Sequence, residues 1–180
     1  MKIIAIVGMA GAGKSEVTRV FEQAGWVRVR FGDITDEEVG KRGMPLNETS
    51  ERFVREALRA KHGMAAYAKL SIARIDKALE KSNVVVDGLY SWEEYLLMKK
   101  RYGEQLALVA VWASPRKRYF RLSIREVRQL TREEAAARDK AEVENLNKGG
   151  PIAMADYTLT NESTLANLRK QTKRLIERLG

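Results

Sequence analysis

A glycine-rich stretch near the amino terminus limits what this chain can fold into more than any other feature. A short apolar run, residues 3–7, ends at Gly8, and the triplet Gly13, Lys14 and Ser15 follows after four intervening residues. This spacing is the pattern G-x-x-x-x-G-K-[ST], which forms a phosphate-binding loop between a strand and a helix. Glycines let backbone N–H groups turn inward around an anion, and the helix start adds partial positive charge.

The loop residues have distinct expected contacts with a bound phosphate chain. Lys14 can reach the β- and γ-phosphates, and the Ser15 hydroxyl can bind Mg²⁺. An ordinary glycine-rich turn is the alternative interpretation, but a strand-like run precedes the loop and a helical pattern follows it. The residues expected to surround the phosphates are Gly8, Ala10, Gly11, Ala12, Gly13, Lys14, Ser15 and Glu16.

Composition narrows the class of protein. The chain has 180 residues, of which 44% are hydrophobic and 32% charged, which suits one domain with a full core. The absence of cysteine excludes disulfides and thiolate metal sites. The sequence has no apolar run near the ~20 residues of a membrane span, and residues 1–7 read as a strand rather than a signal peptide. We therefore expect a cytoplasmic protein with no membrane partner.

The chain is strongly basic, with a formal net charge of +9. Such a charge fits polyanionic partners such as nucleotides, CoA-like molecules or nucleic acid, although solvated helices carry much of it. Nucleic acid is the least favoured of these partners because the sequence contains no recognisable nucleic-acid-binding module. The oligomeric state does not follow from the sequence.

Strand-like and helix-like segments alternate along the chain. Residues 3–7 and 84–87 are continuous apolar runs, typical of strands buried on both faces of a parallel sheet. Residues 26–31 alternate apolar residues with arginine, which indicates an edge strand with one wet face. With further strands at 106–112 and 157–160, the pattern predicts an α/β fold of three layers with right-handed crossovers.

Capping signals divide the helical segments. We expect several helices between Gly32 and about Leu79, a continuing helical pattern from Pro115 to about Asn145 that restarts near Thr131, and a break at residues 149–151. The helix starts are predicted by the capping boxes Thr35–Glu38, Ser91–Glu94 and Thr131–Glu134, by Asn47 or Ser50, and by Ser114 followed by Pro115.

Two acidic residues follow predicted strands at the edge of the sheet where ligands bind. Asp87 ends the third strand, and Asp33 comes two residues after the second. Beside a phosphate loop, a carboxylate can hold Mg²⁺ or accept a proton from an attacking hydroxyl. The alternatives are a turn or capping role for Asp87 and an Asx turn for Asp33.

Arginines form a second group of candidates. On a single helix they would lie on one stripe, suited to the charge that develops on a transferred phosphoryl group, or they could form a solvated face. The stripe consists of Arg118, Arg121, Arg125, Arg128 and Arg132, with Arg116 close by. A smaller set, Arg52, Arg55, Arg59 and Lys61, raises the same question for an anionic acceptor. For His62 a helix-end role is favoured over catalysis, and for Tyr90 packing is favoured over stacking on an acceptor base.

Together these features resemble the P-loop kinases of the nucleoside-monophosphate kinase group. The segment from Thr131 to Arg138 and the run Ala155-Asp156-Tyr157 to Asn161 are similar to the close of dephospho-CoA kinases, in which Asp33 falls at the place of a catalytic aspartate. Val54-Arg55-Glu56, Gly63-Met64, Arg138-Asp139 and Ala155-Asp156-Tyr157 most resemble a family described as adenylate-kinase-related.

The resemblance implies a P-loop NTPase fold whose five parallel strands have the order 2-3-1-4-5, with helices on both faces. It implies one kinase domain over residues 1–180, an acceptor-binding insert at about 33–80, and a lid at about 115–150. It also implies ATP as phosphate donor with Mg²⁺. One departure is that Leu89-Tyr90-Ser91 follows Asp87-Gly88 where adenylate kinases have Phe-Pro-Arg.

The expected function is therefore transfer of the γ-phosphate of ATP to a small nucleotide-like acceptor, of the nucleoside-monophosphate or dephospho-CoA type. Lys14 would hold the donor, Ser15 and Asp87 the metal, and Asp33 or Asp87 would orient or deprotonate the acceptor. Arg116 and Arg121 would stabilise the transferred group. The alternative is a regulatory NTPase that shares the loop but has no small-molecule acceptor.

Overall fold

Strands and helices alternate throughout the part of the chain that the computed structural model describes, residues 1–126 and 128–180. Val127, inside the expected lid, lies outside the described residues. The elements in chain order are β1 (Ile3–Val7), α1 (Lys14–Gln23), β2 (Val27–Arg30), α2 (Gly32–Lys41), α3 (Glu48–His62), α4 (Ala66–Leu79), β3 (Val84–Asp87), α5 (Trp92–Tyr102), β4 (Leu106–Trp112), α6 (Pro115–Ser123), α7 (Arg132–Glu144), α8 (Gly149–Ala153), β5 (Tyr157–Thr160) and α9 (Leu165–Leu179).

The five strands form one parallel sheet in the order β2-β3-β1-β4-β5, which confirms the predicted order. Within the central pairs, Ile6 lies opposite Asp87 and Val7 lies opposite Ala110. Because all strands run in the same direction, their carboxyl ends meet at one edge of the sheet. The phosphate loop, Asp87, Asn161 and the start of α2 therefore come together at that edge.

Hydrophobic side chains cover both faces of the sheet. Ile3, Ala5 and Val7 belong to the core that the sheet shares with the helices α2–α5. Ile4 and Ile6 point to the other face, where they belong to the core shared with α1 and α9. This alternation along β1 is what a strand between two helical layers requires, and it produces the three-layer fold expected from the sequence.

The insert between β2 and β3 consists of three helices, but the first begins earlier than the capping box at Thr35 predicts. Helix α2 begins at Gly32, so Thr35 lies inside it. The Thr35 side chain is buried, and its hydroxyl lies 2.6 Å from the Tyr67 hydroxyl of α4. The predicted cap was wrong because the tertiary hydrogen bond to Tyr67 uses the same side chain. The cap at Asn47 is confirmed, since its side chain accepts from Ser50 N–H at 2.9 Å.

The expected lid also differs from the sequence pattern. Helix α6 ends at Ser123 and α7 begins at Arg132, so no single helix carries the predicted arginine stripe. The predicted break at 149–151 is also wrong, because α8 spans Gly149–Ala153. The capping boxes at Ser91 and Thr131 are confirmed. Among the described residues, no helix is long and apolar enough to cross a membrane.

The two confirmed capping boxes allow a matched test of the packing around α5. Ser91 is fully buried, and its hydroxyl accepts from Glu94 N–H and donates to the Met64 carbonyl. The corresponding Thr131 bond to Glu134 N–H is exposed. Ser91→Ala is expected to lower the free energy of unfolding by about 2 kcal/mol, because it leaves buried backbone groups without partners. Thr131→Ala should cost about 0.5–1 kcal/mol.

Urea denaturation of both variants measures the difference. Equal losses of unfolding free energy in the two variants would show that burial adds nothing to the Ser91 cap.

Candidate functional site

Glycines allow the phosphate loop to pack closely against its neighbours. Gly8 has a φ of +139°, and a Cβ placed there would lie 2.4 Å from the Val111 carbonyl oxygen. Gly13 has a φ of +109°, and a Cβ there would lie 2.4 Å from Nδ2 of Asn161. A larger residue at either position would have both a strained backbone and a steric clash. The loop therefore lies directly against the ends of β4 and β5.

Side chains from the end of β5 and from α6 hold the carbonyl side of the loop. Asn161 donates from Nδ2 to the Ala12 carbonyl at 2.8 Å. Arg121 donates to the Asn161 carbonyl at 2.8 Å and reaches the Gly11 carbonyl at 3.5 Å. Because these side chains bind the carbonyls, the loop N–H groups are left to face a ligand. Arg121 thus lies beside the loop, and its role toward donor phosphates stays a prediction.

Lys14 is bonded to the loop itself. Its Nζ donates to the Gly8 carbonyl at 2.8 Å and to the Met9 carbonyl at 3.0 Å. Burial of the ammonium group, followed by the charge of Lys148, lowers the pKa of Lys14 to about 7, although Glu142 and Asp87 oppose the shift. A cation held in this way by neutral oxygens gains strongly from an entering anion.

The two residues after Lys14 have different surroundings. Ser15 is exposed at the start of α1, where its hydroxyl can reach a ligand above the loop. The Glu16 carboxylate bonds Arg19 and, across the structure, Arg169 of α9. Its side chain therefore ties α1 to α9, and only the backbone of Glu16 remains for phosphate binding.

Asp87 is the acidic residue of β3 whose charge acts on Lys14. Its side chain is largely buried and forms an ion pair with Arg28 of the neighbouring strand. Its backbone carbonyl accepts from Phe31 N–H at 2.9 Å. The sheet thus fixes Asp87 opposite Ile6, two residues before the loop, and its place at the end of β3 is the one that the sequence predicts.

Asp33 lies further toward the insert. It is in the first turn of α2 rather than in the Asx turn that was the alternative interpretation, and its side chain is 47% exposed. Arg30 bonds Asp33 at 2.7 Å and Asp36 at 2.6 Å. A partner shared between two carboxylates leaves Asp33 oxygen atoms available to a ligand. Asp33 and Asp87 thus follow neighbouring strands at the same sheet edge, and each is paired with an arginine of β2.

The predicted arginine stripe separates into residues with different roles. Arg118 is buried and forms a bidentate ion pair with Asp139 of α7, at 2.9 and 2.6 Å. It also donates to the Ala10 carbonyl at 3.1 Å. Arg118 is thus a clamp between α7 and the phosphate loop rather than an arginine free to bind phosphate. Arg116 is exposed on α6.

A contact joins the expected lid to the insert. Arg128, after α6, forms an ion pair with the buried Glu51 of α3. Arg55 of α3 also bonds Glu51, at 3.3 Å, and Glu48 at 2.6 Å. The charges of Arg128 and Arg55 are therefore at least partly balanced by carboxylates. The segment from 115 to 150 is thus tied to α3 through Arg128 as well as to the phosphate loop through Arg118.

Arg59 and Glu94 lie on the insert side of the site with polar atoms that have no hydrogen-bond partner among the described residues. These atoms are Arg59 Nε and Glu94 Oε1. The Arg59 guanidinium lies 5.4 Å from the centre of the Tyr67 ring. Burial raises the pKa of the Glu94 carboxyl to about 7, although two backbone N–H bonds and the charge of Arg59 oppose the shift.

Sequence reasoning missed Lys148 and Glu142, which form a buried ion pair near Lys14. Lys148 Nζ lies 2.6 Å from Glu142 Oε2. Lys148 comes between Asn147 and two glycines, a context that reads as a loop, and Glu142 reads as part of a solvated helix face. The sequence carries no signal for this pair, because its burial depends on how α7 and α8 fold back over the loop.

Comparison with known proteins identifies the families to which this chain belongs. The AAA domain family matches residues 4–145. A UPF0200 protein of Thermococcus sibiricus is 37% identical over 182 residues, covering 99% of this chain and 95% of the relative. The chain therefore belongs to the AAA domain and UPF0200 families. This membership leaves the more specific resemblance to adenylate-kinase-related proteins as an expectation.

Solved structures share the fold of this UPF0200 family member. The protein TT1252 from Thermus thermophilus superposes with a TM-score of 0.65 at 24% identity, over 99% of this chain and 98% of the other. A shikimate kinase from Bacteroides thetaiotaomicron has a TM-score of 0.63 at 15% identity, over 99% and 98% of the two chains. At these identities the likeness establishes the P-loop kinase-like fold.

The surroundings of Lys14 predict how anion binding depends on pH. Above about pH 7 the free protein loses the Lys14 proton, whereas a bound anion favours the charged form. We expect the apparent Kd for sulfate, which does not titrate in this range, to rise about tenfold between about pH 6 and about pH 8.

The measurement is the sulfate-dependent increase in melting temperature at each pH, with potassium chloride at equal ionic strength as control. The same half-saturating sulfate concentration at both pH values would contradict the prediction.

Proposed function

We propose that this chain is an ATP-dependent phosphotransferase that moves the γ-phosphate to a small anionic acceptor, nucleotide-like as in the nucleoside-monophosphate or dephospho-CoA type. The observation that supports it best is the closure of the lid on two sides. Arg118 ties the segment to the Ala10 carbonyl of the loop, and Arg128 ties it to Glu51 of the insert. A cover that excludes water from the loop favours transfer to a bound acceptor over hydrolysis.

The loop residues fit a nucleoside triphosphate with Mg²⁺. The enclosed Lys14 ammonium has neutral partners, which a phosphate oxygen can replace, and Ser15 presents an exposed hydroxyl. Ser15 and Asp87 would hold the metal, which supplies charge neutralisation between the donor phosphates. The backbone from Gly8 to Glu16 would surround the phosphates.

The acceptor would bind between the loop and the insert. Asp33 belongs to α2 of the insert, so it would orient or deprotonate the attacking hydroxyl, while Asp87, whose charge acts on Lys14, would help to hold the metal. Arg121 would act from beside the loop, and the exposed Arg116 would reach the transferred group from α6. The name of the shikimate kinase neighbour indicates that this fold accepts small anionic molecules other than nucleotides.

The proposal predicts turnover that depends on an acceptor. ADP release from ATP should rise clearly above the acceptor-free rate in the presence of one member of a panel of AMP, CMP, UMP, dephospho-CoA and shikimate. Lys14→Ala should reduce that rate by about 100-fold or more, because it removes the cation that follows the phosphoryl charge, with the circular dichroism spectrum unchanged. A coupled assay for ADP measures both effects.

Equally slow ATP turnover with every acceptor and without one would contradict the proposed kinase activity and support a regulatory NTPase. The exposed Lys140 provides a matched control, since Lys140→Ala should leave the rate unchanged.

Substitutions of Asp33 and Asp87 should change different kinetic properties, kcat in one case and the Mg²⁺ requirement in the other. Asp87→Asn is expected to raise the Mg²⁺ concentration needed for half-maximal rate, because one ligand or water acceptor of the metal is lost. Asp33→Asn should leave the Mg²⁺ requirement unchanged and lower kcat by about 100-fold, as expected for loss of a general base. Rates measured across a Mg²⁺ titration check both. If Asp33 held the metal and Asp87 were the general base, the two variants would show each other's effects.

A further inference from the structure

Lys148 is a charged side chain in an unusual place. Only 2% of the residue is exposed, although lysine is rarely buried to this extent. It lies between α7 and α8, at the end of the expected lid, and the preceding Asn147 has a φ of +51°. The turn thus directs Lys148 inward, toward the sheet edge.

The position of the ammonium group is fixed by two contacts. Lys148 Nζ lies 2.6 Å from Glu142 Oε2 and 5.4 Å from the centre of the Tyr90 ring. The Tyr90 hydroxyl packs closely against Gly88. A Cβ built on Gly88 would lie only 2.7 Å from the Tyr90 hydroxyl oxygen. Because Gly88 follows Asp87 at the end of β3, Lys148 lies above the same sheet edge as the phosphate loop.

Lys14 and Lys148 have too few carboxylates around them to balance their positive charges. Lys14 has only carbonyl oxygens as hydrogen-bond partners among the described residues, and Asp87 is paired with Arg28. Glu142 is left to balance Lys148, and it also accepts from Arg138 at 3.2 Å. Enclosed cations with too few carboxylates are costly unless an anion joins them.

The pKa directions agree with this geometry. Burial lowers the pKa of Lys148 even though Glu142 opposes the shift. Burial alone would raise the pKa of Glu142, but the charge and hydrogen bond of Lys148 outweigh it and hold that pKa below its ordinary value. Burial thus weakens the hold of each lysine on its proton, and a phosphate placed between them would favour the charged form of both.

We propose that Lys148 is a catalytic residue that contacts the transferred phosphoryl group from the lid side, facing Lys14, and that Glu142 positions it. The inference rests on the proposed function. During transfer, the bond between the γ-phosphorus and the β,γ-bridging oxygen breaks, and a bond between that phosphorus and the acceptor oxygen forms. The acceptor proton leaves to a carboxylate at the sheet edge. Lys148 keeps its own proton and acts through its charge, which follows the moving phosphoryl oxygens.

A purely structural role is the competing explanation, in which the pair with Glu142 only ties α7 to α8. The two roles differ in what they predict for kcat. A structural pair would change stability and leave the turnover of the folded protein intact. A phosphoryl contact would lower kcat with little change in the affinity for ADP, which lacks the γ-phosphate.

The test compares Lys148→Met with Lys140→Met, which removes an exposed lysine of α7. Lys148→Met is expected to lower kcat by about 100-fold with ADP affinity within about threefold of the unaltered protein, and Lys140→Met should change neither. A second readout needs no acceptor. Fluoroaluminate, a mimic of the transferred group, should tighten ADP binding to the unaltered protein and to Lys140→Met, and this gain should fall at least about tenfold in Lys148→Met.

The outcomes separate this inference from the proposed function. If the unaltered protein uses no acceptor, the proposed function fails, while the fluoroaluminate comparison still decides the contact of Lys148. An unchanged fluoroaluminate gain in folded Lys148→Met overturns the inference, and so does an unchanged kcat. If Lys148→Met does not fold, the double variant Glu142→Gln/Lys148→Met replaces it, because no unpaired carboxylate is then buried. Loss of the gain in that folded variant supports the inference, and retention of the gain or failure to fold overturns it.

Discussion

The site depends on one interaction, the hold of the loop carbonyls on the enclosed Lys14 ammonium group. Gly8 and Met9 supply those carbonyls, and the loop can present them only because it packs without side chains against the ends of β4 and β5. The hold is weak compared with an ion pair, since its partners are neutral. An anion can therefore replace it without first breaking a salt bridge, and the site is prepared for phosphate.

Two arginines beside the loop, Arg118 and Arg121, help to keep it in place. Arg118 joins Asp139 to the Ala10 carbonyl, and Arg121 joins Asn161 to the Gly11 side of the loop. Their partners are backbone carbonyls and carboxylates, so the loop N–H groups stay oriented toward a ligand. Some of the basic side chains in the segment from 115 to 150 thus hold the loop in its conformation. Only the remaining ones are available to a substrate.

Membership of the AAA domain and UPF0200 families and the kinase-like fold agree with phosphotransfer in general terms. What separates a kinase from a nucleotide switch is the surroundings of the loop. Here a three-helix insert follows β2, and Arg128, in the segment expected to form a lid, pairs with Glu51 of that insert. In the reaction that we propose, Lys148 would add a cation where charge develops during transfer.

The sequence by itself determined the phosphate-loop pattern, the alternation of strands and helices, and the places of Asp33 and Asp87 after their strands, because glycine spacing, apolar runs and strand ends are local signals. The order of the strands followed only from the resemblance to P-loop kinases. The capping boxes at Ser91 and Thr131 were readable for the same reason. Only the tertiary structure decided that Thr35 bonds Tyr67 instead of capping a helix, that Arg118 is a buried clamp, and that Lys148 reaches the site. Each of these depends on a partner more than five residues away or on burial by another element. Such partners leave no periodic trace in the chain, since they arise only when separate elements pack together.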